Sequence, residues 1–147
     1  MPKVGILSLP LNWNYGGILQ QYALSEYLKK NNLEPILISR RLKRKNFLVL
    51  FLVKIKWKLI YYFGKYEKFN FLPLLATEKF KQKHLNSRTK DLYSSEELRN
   101  YTKKNKIKNF LVGSDQIWNV EATPSLKDSF IGFLQNKQKC LIAAYGA

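Results

Sequence analysis

Residues Lys3 to Leu9 form a short apolar run, the pattern of a strand buried on both faces of a parallel sheet. Pro10 ends it. Asn12 to Gly17 reads as a loop, with two glycines and two asparagines suited to positive φ. From Ile18 to about Asn31 helix formers dominate. Ile18, Leu19, Tyr22, Ala23, Leu24 and Leu28 give that helix a broad apolar face, Lys29 and Lys30 suit its C-terminus, and Asn31 or Asn32 can close it. Pro35 to Ser39 is a second apolar run. Two strands joined through a helix of this length predict a parallel pair with a right-handed crossover.

Residues 42 to 75 are basic and aromatic, and the strip 76 to 108 is helical and solvated in pattern. Thr77 to Leu85 is one expected helix. Ser94 begins another, with Glu97 three residues on, the pairing of a capping box. Asn109 to Val112 is a third strand and runs into Gly113-Ser114-Asp115-Gln116-Ile117-Trp118-Asn119. Pro124 marks a loop, and Lys139 to Ala144 is a fourth strand. A parallel strand is normally followed by its covering helix, so a further segment is expected beyond Ala147. The order of elements predicts an α/β, Rossmann-like parallel sheet forming one domain over 1–147, with the basic aromatic segment 40–75 inside it.

Composition changes this picture little. Leu, Ile, Val and Phe supply 47 of the 147 residues, too many for a disordered chain. The longest apolar run, Phe47 to Val53, is seven residues, short of the ~18 that span a bilayer. The N-terminus lacks a small-residue cleavage pattern, so no signal peptide is read and a cytoplasmic setting is expected. One cysteine, Cys140, excludes an internal disulfide and a multi-cysteine zinc site. In its apolar strand it is expected to be buried and inert. The only histidine, His84, sits in a lysine-rich stretch and is expected on the surface. No metal-ligand spacing is present.

Charge matters more. The net charge is +16, which invites a nucleic-acid reading. Of the 26 basic residues, however, 21 are Lys, and Asn, Ile, Tyr and Phe are abundant too. A biased genome gives that composition with no nucleic-acid partner, and Arg rather than Lys makes most bidentate base contacts. Arg40 to Lys68 alone carries +9 in 29 residues. Its mixture of bulky apolar and cationic residues suits either a solvated crossover helix or a segment lying on an anionic membrane surface. As a strand, Val53 to Leu59 would put Lys54, Lys56 and Lys58 on one side.

Two loops carry candidate chemistry. Asn14-Tyr15-Gly16-Gly17 lies between a strand and a helix N-terminus, where free N–H groups favour an anion and glycines allow close approach. The plainer reading is a tight βα turn whose glycines only satisfy the backbone. Ser114-Asp115-Gln116 with Trp118 and Asn119 lies at a strand's carboxyl end, where open α/β sheets bind ligands. It offers an acid or base, donors, acceptors and a stacking face, a mixture that suits sugars. The alternative there is Asp115 capping a turn with Trp118 in the core.

The stretches Leu9 to Leu28 (LPLNWNYGGILQQYALSEYL), Phe110 to Asn119 (FLVGSDQIWN) and Ala143 to Gly146 resemble, in order and spacing, the polysaccharide pyruvyl transferase family. In that family an Asn-Tyr-Gly loop precedes a Leu-Gln-x-Tyr-Ala-Leu helix, and a Val-Gly-Ser-Asp-Gln-Val-Trp-Asn stretch follows. The resemblance covers this whole chain but only the N-terminal half of the family, whose second Rossmann-like lobe faces the first as in GT-B glycosyltransferases. It implies transfer of pyruvyl from phosphoenolpyruvate, a donor substrate with no further cofactor, to a sugar of a cell-surface polysaccharide or its lipid-linked precursor. It implies Asp115 as the acid or base toward an acceptor hydroxyl. Asn14, Tyr15, Gly16, Gly17, Gln20, Ser114, Gln116, Trp118 and Asn119 would line the cleft. Donor-site residues would lie in the second lobe, so the isolated chain is expected to be inactive. A vestigial sugar-binding lobe and a basic nucleic-acid-binding protein are the alternatives. The basic segment would dock near lipid-linked acceptors at the inner membrane face.

Overall fold

The computed structural model describes residues 1–11, 15–42, 52, 55, 71–113, 116–134 and 140–145. Asn14, Ser114, Asp115 and most of the basic aromatic segment, including its proposed membrane-facing lysines, lie outside these residues.

Four strands form one parallel sheet: β1 (Lys3–Leu7), β2 (Glu34–Ile38), β3 (Asn109–Gly113) and β4 (Leu141–Tyr145), in the order β2-β1-β3-β4. The helices are α1 (Tyr15–Lys30), α2 (Phe71–His84), α3 (Ser95–Lys104) and the single turn α4 (Leu126–Ser129). The expected Rossmann-like α/β sheet is therefore present, and each expected strand exists within two residues of its expected ends.

Alternation within the strands divides the core in two. Val4, Ile6 and Leu37 face one side with Leu11, Ile18, Leu28 and Leu85, so α1 and the end of α2 cover that face. Leu7, Ile36, Ile38, Phe110 and Val112 face the other, under Leu98, Ile117, Ile131 and Phe133. Phe110 and Phe133 meet edge to face at 5.7 Å, a favoured aromatic geometry. Gly5 makes room for this: a side chain there would press on Phe110 and Ile38 at 3.0 Å.

Pro35 sits inside β2 without cost to the ladder. Glu34 donates its N–H inward to Pro2 O (2.9 Å), whereas Leu37 and Ser39, two and four residues past Pro35, turn their N–H groups outward. The missing donor of Pro35 thus falls on the outer side. There the chain from Ser87 to Leu92 runs parallel to β2, with Leu37 N to Ser87 O and Thr89 N to Leu37 O both 2.9 Å. One sheet edge is covered this way. At the other edge, β4 leaves Leu141 70% and Ile142 40% exposed.

Helix ends follow their local chemistry. α1, α3 and α4 each close with a Schellman pair: Leu33 N to Leu28 O, Ile107 N to Thr102 O and Gly132 N to Lys127 O span five residues. The left-handed residue is Asn32, Lys106 or Ile131 rather than glycine. Ser94 Oγ accepts from Glu97 N at 3.0 Å, as the capping box requires, and Glu97 Oε2 accepts from Tyr93 N at 2.7 Å.

Several expectations are corrected. α1 starts at Tyr15, so Tyr15, Gly16 and Gly17 are its first turn rather than loop, because first-turn residues need no N–H partner and tolerate glycine there. Its buried stripe is Ile18, Gln21, Ser25 and Leu28, while Leu19 (56%) and Tyr27 (64%) are exposed. α2 starts at Phe71, with Pro73 in the first turn where its absent N–H costs nothing. His84 is half-buried between α1 and α2, with ring centroids 5.2 Å from Tyr22 and 4.6 Å from Phe80. Cys140 is half-buried rather than buried and packs against the larger core cluster.

Candidate functional site

The chain leaves β1 for β2 on one side, then returns across the sheet to β3 on the other side of β1. The strand order therefore reverses between β1 and β3. The crevice beyond their carboxyl ends is the topological switch point, where ligands of open α/β sheets bind. The segment after β1 and the segment after β3 border it.

Behind β1 the chain is held from two helices. Gln21 of α1 donates through Nε2 to Ser8 Oγ, and both residues are buried. Lys81 of α2, also buried, donates through Nζ to Leu11 O at 3.3 Å and pairs with Glu78. Tyr15 and Gly16, at the start of α1, are exposed, and Gly17 and Gln20 are half-buried. Of the two neighbouring glutamines, sequence reading favours Gln20, yet Gln21 holds the strand end. The signal was available: Gln21 is a polar residue spaced three after Ile18 and seven before Leu28 on one helix face.

Past β3, Gln116 is exposed and Ile117 is buried in the core. Trp118 is half-buried and stacks on Phe130 at 6.1 Å with the rings 22° apart. Asn119 closes a turn: its Oδ1 accepts from Glu121 N at 3.0 Å, and its carbonyl accepts from Ala122 and Thr123. The side-chain oxygen of Asn119 is therefore engaged locally.

Between Trp118, Phe130 and Ile131 on one side and Ile142 to Ala144 of β4 on the other lies a cavity of about 220 Å³. Its walls are almost wholly apolar, apart from Ser129. Tyr145 ends β4 opposite Gly113 of β3 and packs so closely on it that a methyl group there would overlap the Tyr145 ring and carbonyl. Burial pushes the Tyr145 phenol up to about 12. Its hydroxyl is buried with no hydrogen-bond partner among the described residues.

Arg40 and Arg41, expected as part of the cationic segment, are both tied to carboxylates. Arg40 is buried against Asp128 at 2.8 Å, and Arg41 reaches Asp91 at 3.4 Å. Among the described residues no group of His, Cys, Asp or Glu could hold a metal ion. Among them, too, no helix is long and apolar enough to cross a membrane.

The fold is an open parallel α/β sheet whose strand order reverses between β1 and β3. No family model matches the sequence, and no curated protein matches it. Among solved structures the chain is similar to a protein from the universal stress protein family from Burkholderia pseudomallei, with a TM-score of 0.40 and 9% identity over 98% of this chain and 96% of that one.

Proposed function

We propose that this chain is the N-terminal lobe of a pyruvyltransferase of the polysaccharide type, acting on a sugar of a cell-surface polysaccharide or its lipid-linked precursor. One observation supports the reading above the rest. The three stretches that resemble the family adjoin the carboxyl ends of β1, β3 and β4, three strands adjacent in the sheet. Segments distant in sequence thus converge on the edge where this architecture binds ligands.

In the reaction, the enol methylene of phosphoenolpyruvate takes a proton. Two sugar hydroxyls then bond to its central carbon, the carbon–oxygen bond to phosphate breaks, and phosphate leaves with a pyruvate ketal as product. A base must receive the hydroxyl protons, and cations must hold the carboxylate and phosphate. Asp115 is the acid or base assigned in this lobe. By the family resemblance Asn14, Tyr15, Gly16, Gly17 and Gln20 are assigned to one side of the cleft, and Ser114, Gln116, Trp118 and Asn119 to the other. A second lobe, facing this one in GT-B fashion, supplies the donor site. The basic segment keeps the enzyme near an anionic inner membrane face.

The test is phosphate release from phosphoenolpyruvate with a panel of sugar acceptors. The 147-residue chain alone is expected to give none, because positioning needs both walls of the cleft. Joined to the second lobe of a family member it is expected to turn over. There, Asp115→Asn is expected to cut the rate far more than Ser114→Ala. Sugar binding without turnover in the joined protein would replace this reading with that of a sugar-binding lobe.

A further inference from the structure

α2 buries Thr77 and Lys81, and Leu85 just past its end continues the stripe, each four residues from the last. A helix lying on a sheet ordinarily fills such positions with apolar side chains. Lys81 breaks that pattern at 7% exposure, while Lys79 and Lys83 on the same helix are exposed. Removing an ammonium from water is unfavourable, so the position does not favour lysine for packing. The ammonium pairs with Glu78 three residues back on α2 and donates to the carbonyl of Leu11, itself buried, four residues before α1 begins.

We infer that Lys81 is a positioning residue for the first strand-end segment. It pins the chain between Ser8, which Gln21 holds, and the first turn of α1, which carries Tyr15, Gly16 and Gly17. Two glycines at a helix start make that turn prone to fray, since glycine has the most backbone freedom to regain. A charge-assisted bond to the carbonyl just upstream opposes the fraying from outside the helix. The purpose assigned to this turn rests on the proposed function, but the anchoring does not.

Hydrogen exchange on the 147-residue chain tests it without any substrate, so its outcome and that of the pyruvyl-transfer assay are independent. The amides of Leu19, Gln20 and Gln21 close the first turn of α1 by bonding four residues back. In Lys81→Met they are expected to exchange at least tenfold faster, with the amides of Leu24 to Leu28 unchanged and the urea midpoint not lowered. Lys81→Arg is expected to keep most of the protection. Unchanged exchange at the first turn would overturn the inference. So would faster exchange throughout α1 with a lowered midpoint, or a Met variant that does not fold.

Discussion

Arg40, two residues past the end of β2, donates through Nε to Asp128 Oδ2 of α4 at 2.8 Å, with both side chains buried. The pair ties the outer part of the sheet to the segment between β3 and β4. Its second carboxylate oxygen, Oδ1, is buried with no partner among the described residues, so the pair is only partly satisfied. Asp128→Ala would strand the guanidinium and is expected to cost about 3–5 kcal/mol. Arg40→Met with Asp128→Leu is expected to recover most of that, because neither charge is then left buried. Urea denaturation of the two variants makes the comparison.

Tyr145 should make stability fall at high pH. Burial disfavours the phenolate and pushes its phenol up from 10 to about 12 in the folded chain. Between those values the unfolded chain loses the proton and the folded chain keeps it. The contribution is therefore complete below pH 10 and is lost as pH rises toward 12. Difference titration of phenolate absorbance against Tyr145→Phe should show one tyrosine ionising late. The Phe variant should lose stability less steeply over that range.

Ile131 has φ 56°, a left-handed conformation that β-branched residues rarely adopt, and it is 0% exposed in the core. Core burial holds it there against a local penalty of about 1–2 kcal/mol. Truncation to Ala should cost about 2–5 kcal/mol. Ile131→Gly removes one more carbon but also the local penalty, so it is expected to be no less stable than Ile131→Ala. A Gly variant clearly below the Ala variant in thermal or urea midpoint would count against this account.

The β4 edge should drive self-association. Leu141 and Ile142 are exposed on a strand with no charged residue and, among the described residues, with no strand on its outer side; such an apolar edge templates further pairing. Leu141→Lys is expected to lower light scattering at high protein concentration with little change in unfolding midpoint. Unaltered scattering would place the association elsewhere.

The order of elements is written locally, and it was legible. Apolar runs bounded by Pro10, Asn32 and Pro124 mark out the strands and α1, and Ser94 with Glu97 marks the start of α3, because capping and strand burial depend on near neighbours. Gly113 was legible as a strand end for the same reason, whereas Gly16, expected in a loop, lies in the first turn of α1. Only the tertiary structure decided the strand order, and with it the crevice between β1 and β3, because that order depends on which side of β1 the returning chain crosses. It also decided which polar side chains are buried. Gln21, Arg40, Lys81 and Asp128 look like surface residues until a partner far along the chain offsets the cost of removing them from water. Partial burial of His84 beside Tyr22 and exposure of Leu19 and Leu141 have the same origin. Each depends on what a second element covers, and no local window of sequence contains that information.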